Sequence, residues 1–171
     1  KTYVLSTSYS TPANGSEILT VTPISSVLYD SKGTQIVMSA SQSNTVQLND
    51  QAGPTITGAT IDSQNRYVDI TFSEGVYSSD SPATAVTSSS FTLSQRSGPS
   101  YGMTISSITT TAGANLSGGE TSLRFNLGST VKPTGQEIFA ITATDSSSVV
   151  DVSGNSMTVS QTNNTFQLKP P

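Results

Sequence analysis

The chain has 171 residues, a formal net charge of −4 and only 11% charged residues. A few scattered lysines in an acidic chain exclude a nucleic-acid interface, which needs a basic stripe to neutralise phosphates. With no cysteine and no histidine, thiol chemistry, disulfides and the usual general base for a serine nucleophile are excluded as well.

In chain order, three strands are predicted at about 2–9, 17–24 and 36–48. In "LNDQAGP" (48–54) Asp, Gly and Pro interrupt the pattern, which places a linker there. Seven more strands follow, at about 54–62, 66–73, 88–95, 101–109, 121–128, 136–144 and 157–168. "TSLRFNL" shows the period of two best: Leu123, Phe125 and Leu127 share one face, Arg124 and Asn126 the other. "YVDITF" does the same with Val68, Ile70 and Phe72, while the consecutive apolar residues of "EIFAITA" suggest a central strand. No stretch holds a helical period for three turns. No apolar run approaches the roughly 20 residues of a membrane span. Short alternating strands between turn signals predict an all-β protein, an immunoglobulin-like antiparallel β-sandwich of about seven strands. Ser and Thr, about a third of the chain, would coat its surface.

The chain also echoes itself. Gly15, Glu17 and Ile18 return as Gly135, Glu137 and Ile138, at an offset of 120. Asp30 and Gly33 return as Asp151 and Gly154 after a one-residue slip, and "NTVQL" (44–48) returns as "NTFQL" (164–168). Three blocks in one order define a repeat. Residues 52–171 are predicted to be a complete unit, and residues 1–51 the last three strands of a similar one. On that plan Leu19, Val21, Val46 and Leu48 lack an opposing sheet, so neighbouring repeats or another chain would complete residues 1–51.

"VDITFSEGV" (68–76), "SSSFTLS" (88–94) and "VVDVSGNSM" (149–157) resemble the bacterial Ig-like repeats of large surface and secreted proteins. In those repeats a strand ending in Phe-Ser-Glu opens the domain and an Asp-x-x-Gly-Asn turn precedes the last strand. The first copy departs from the pattern, with "DSKGTQ" in place of "DVSGNS". The resemblance implies an extracellular or cell-surface setting of S-layer or adhesin type and a spacer, adhesion or assembly role without catalysis. A different class of reading is a carbohydrate- or protein-binding accessory domain of a secreted enzyme, with Tyr77 and Tyr101 as contacts to a glycan or surface protein.

Strand parity gathers acids at one pole. Glu74 and Asp80 follow the second predicted strand, Asp145 and Asp151 the sixth, and Asp50 lies in the linker. Such carboxylates could hold calcium at an inter-repeat junction, since that cation takes 6–8 oxygen ligands. Asp151 also has a purely structural role open to it, accepting the backbone N–H two residues on in a turn where Gly154 or Asn155 takes a left-handed conformation. No other cofactor is expected.

Overall fold

The alternation of "TSLRFNL" is realised in a strand, Glu120–Ser129. Leu123 and Phe125 are fully buried on one face, with Arg124 and Asn126 partly exposed on the other. The computed structural model describes residues 6–8, 10–22, 29–35, 44–78, 84–129 and 131–171. It divides into two units, Lys1–Ala52 and Gly53–Pro171. All regular elements among the described residues are strands, apart from one 3-10 turn at Ser88–Ser90. None is a helix long and apolar enough to cross a membrane.

In the first unit, β1 (Ile18–Thr20) pairs antiparallel with β2 (Thr45–Gln47). The second unit holds β3 (Ile56–Ile61), β4 (Tyr67–Ser78), β5 (Phe91–Ser97), β6 (Met103–Thr109) and β7 (Glu120–Ser129). They are followed by β8 (Ile138–Ala143), β9 (Val149–Val150) and β10 (Thr165–Gln167). One sheet runs β3-β4-β7-β6 and the other β10-β8-β5, with every pairing antiparallel. Phe91 of β5 meets Phe125 of β7 edge to face, ring centroids 4.9 Å apart, so the two sheets pack on each other. The second unit is thus an antiparallel β-sandwich. All five phenylalanines of the chain lie in this unit and are buried. In central β8, Phe139, Ala140 and Ile141 are buried in succession, as a strand covered on both faces requires.

Three elements differ from the sequence-based expectation. The second strand, predicted to stop at 73, continues as β4 to Ser78. Gly75 makes this possible, because a Cβ there would lie 2.8 Å from the carbonyl oxygen of Gly119. Bare backbone lets the two chains close on a bulge between Thr71 and Val76. Past it, Tyr77 and Ser78 pair with Val150 and Val149 of β9, a strand the sequence reading did not foresee. The last strand, expected over 157–168, shrinks to Thr165–Gln167. Gln161 intervenes, donating from Nε2 to the Thr158 carbonyl (2.8 Å) and accepting the Ile56 N–H on Oε1 (2.8 Å). In the first unit the strand expected at 2–9 lies largely outside the described residues, as do 36–43 of the third.

The sequence echo is a structural echo, down to individual hydrogen bonds. In the first unit Leu48 N–H donates to the Glu17 carbonyl (2.9 Å) and Val21 N–H to that of Asn44 (2.8 Å). In the second, Leu168 donates to Glu137 (3.0 Å) and Ile141 to Asn164 (3.1 Å). The Asn44 amide returns a bond to Val21 as Asn164 does to Ile141, and Gln47 reaches the Gly15 carbonyl as Gln167 reaches that of Gly135. Glu17 accepts the Asn14 N–H, and Glu137 that of Thr134. The strand registers agree too: Leu19 faces Val46, and Phe139 faces Phe166.

Burial separates the copies. Glu137 is 1% exposed whereas Glu17 is open to solvent. Burial alone would raise the Glu137 carboxyl. The Thr134 hydroxyl and N–H and the Gly135 N–H outweigh it, holding the group below its usual value. Asp62, in the β3–β4 turn, is lowered to about 2, chiefly by the Arg66 guanidinium at 2.7 Å. Both folded-state values lie below the unfolded ones. The stabilisation is therefore complete above about pH 4.5 and is lost as pH falls through the folded values, down to about 2 for Asp62. Urea midpoints of the second unit should fall between pH 7 and pH 2.5, and the fall should shrink in a variant carrying Asp62→Asn and Glu137→Gln.

Candidate functional site

"VVDVSGNSM" forms a tight turn that follows β9 and bridges back on itself from Val150 to Ser156. The Asp151 N–H donates to the Asn155 carbonyl (3.0 Å), and Gly154, at φ 85°, donates to the Asp151 carbonyl (3.2 Å). The Asp151 carboxylate, fully buried, accepts the Asn155 N–H on one oxygen (2.7 Å) and its side-chain amide on the other (2.8 Å). Both oxygens thus hold the turn. The first copy repeats the scheme around Asp30, whose Oδ1 accepts the N–H groups of Thr34 and Lys32 (2.8 Å each). Those bonds keep the exposed Asp30 carboxyl below its usual value.

Of the acids singled out from the sequence, Glu74 and Asp151 come together, each with a carboxylate oxygen within 4.8 Å of the other. The route differs from the one expected. Glu74 sits inside β4 rather than after it, and the β4–β9 pairing carries it to the turn. Asp145 is exposed and caps its own turn, its Oδ1 accepting the N–H and hydroxyl of Ser147 at 2.8 Å. Hydrogen bonds from the Ser148 side chain and from Ser147 lower its carboxyl. Asp50 belongs to the first unit, where its Oδ1 accepts the Ala52 N–H (3.0 Å). Asp80 lies outside the described residues. Within the second unit the described pair supplies two carboxylates, one of them already committed to Asn155. Calcium takes 6–8 oxygens.

Both tyrosines make contacts within the second unit. Tyr101 stands edge to face on Phe139 at 6.3 Å, and its hydroxyl donates to the Val131 carbonyl. Its N–H donates to Gln95 Oε1 (3.0 Å). Tyr77 is half-buried within β4, its hydroxyl against the backbone of Gly119. A shallow groove between β5 and β6 is lined by Phe91, Leu93, Met103 and Ile105 with serines and Thr104, and carries no acid. On the outer face of the other sheet, Arg124 pairs with Asp69 at 2.7 Å and lies 3.7 Å over the Tyr67 ring.

No family model, no curated protein and no solved structure matches this chain.

Sequence reasoning passed over Asn155 as the partner that satisfies Asp151, and Glu137 and Asn164 as buried polar anchors. The signal for the last two was present, since Glu17 and Glu137, Asn44 and Asn164 are matched pairs of the echo.

Proposed function

We propose that the chain is a non-catalytic tandem Ig-like segment of a secreted or cell-surface protein, serving as a spacer, adhesion or assembly element. The observation that carries this reading is the hydrogen-bonded closure recurring, partner for partner, 120 residues along the chain. Duplicated modules give reach by repetition, each repeat contributing one supersecondary unit. The strand order supports the Ig-like assignment: β3-β4-β7-β6 with β5-β8-β10 is the A-B-E-D and C-F-G order of constant-type immunoglobulin sandwiches. The surface, rich in Ser and Thr and poor in charge, suits a module exposed to solvent along its length.

Force spectroscopy on the chain, held at its two ends, tests this reading. The second unit should resist as one event, releasing a contour length of roughly 400 Å. A glycan array should give no saturable signal. Saturable glycan binding that is lost in Tyr101→Phe, with no resistance to force, would instead favour the accessory binding domain.

A further inference from the structure

The repeat shows what the described residues of the first unit lack. On one face of the β1–β2 ladder stand Leu19, Val21, Val46 and Leu48; Val21 is 41% and Val46 55% exposed. Their counterparts are Phe139, Ile141, Phe166 and Leu168, all 5% exposed or less. In the second unit this face is covered by the β3-β4-β7-β6 sheet, and the open edge of β8 is paired by β5. β1 pairs only with β2 among the described residues.

We propose that the Leu19–Val21–Val46–Leu48 face docks a β-segment of the same module type, built like residues 54–120 and additional to the copy in this chain. The covering partner is specified by the second unit itself: an alternating apolar sheet over the face, and an antiparallel strand of β5 pattern along the edge of β1. A second copy of this chain does not meet the need. Residues 1–171 hold two closing segments, around 14–48 and 134–168, and one front segment, around 54–120. Any exchange between copies therefore leaves one closing segment uncovered. The inference rests on the repeat and not on the spacer role.

Hydrogen-bond direction supplies the readout. In β8 the Ile141 N–H points to β10, toward Asn164, whereas the Thr144 N–H reaches the Ser90 carbonyl beside β5. Alternation then directs the N–H groups of Ala140 and Thr142 toward β5. Their counterparts in the first unit are Thr20 and Thr22.

Amide hydrogen exchange would be compared between the chain and a version with a second copy of residues 54–120 joined ahead of Lys1. In that version Lys1 takes the place Thr121 holds in the second unit. Protection of Thr20 and Thr22 should rise by about 100-fold or more. Adding Val21→Asp and Val46→Asp should return it to the original level, with Ala140 and Thr142 unchanged as the internal standard. Unchanged exchange at Thr20 and Thr22 beside a protected second unit overturns the proposal, and so does a rise that survives the two aspartates. Protection already present in the original chain, growing with concentration alongside a dimer mass, overturns it in favour of a second copy.

Discussion

Phe166→Ala should lower the stability of the second unit by about 3–5 kcal/mol, the usual cost of removing a buried ring. Phe166 is 5% exposed and lies against Phe139 with ring centroids 6.2 Å apart. Collapse into the vacated space is limited, because β10 is held to β8 by a fixed register and by the Leu168 bond to Glu137. The informative control is Val46→Ala at the equivalent position of the first unit. Val46 is 55% exposed, so that change should move stability by no more than about 0.5 kcal/mol. Urea denaturation followed by circular dichroism reads both. A loss at Val46 matching that at Phe166 would mean the first unit is packed as tightly as the second.

The second large effect is expected at the turn. Asp151→Ala should cost about 2–3 kcal/mol, because it strips the backbone and side-chain amides of Asn155 of their buried acceptor. Asp151→Asn should cost less, since one carbonyl oxygen can still accept the Asn155 N–H. Asp30→Ala removes the bonds from the Lys32 and Thr34 N–H groups in an exposed loop, where water replaces them, and its midpoint should scarcely shift. If the role of Asp151 is to hold the turn, the loss is the same in chelator as in calcium. A loss seen only when calcium is present would show that Asp151 is a ligand.

Periodicity carried the fold where side chains decide it. The β7 alternation, the central position of β8 and the sandwich class all follow from which residues are apolar. It failed where backbone decides. The second strand is expected to stop just before Glu74, yet Gly75 serves as a bulge against Gly119 and β4 continues. "MTVSQTNNTFQL" alternates well enough to suggest one long strand, but the Gln161 side chain takes up the backbone groups that a longer ladder would need. The sequence reading placed Glu74 and Asp151 together, but for a reason it could not supply. Glu74 reaches Asp151 through a change of strand partner, whereas parity alone also sent Asp145 there. The repeat was the most reliable guide, because matched Gly, Glu, Asp and Asn residues mark backbone bonds that do not depend on burial.

The change of partner in β4 has a kinetic side. Tyr77 pairs with Val150, so that short ladder joins residues far apart along the chain. Loop closure of that length gains nothing until β4 is already seated on β7, and topologies dominated by such distant pairings fold slowly. The two-residue β9 ladder, and the Glu74–Asp151 pair it carries, is expected to form late, which a low φ-value for Val150→Ala would show.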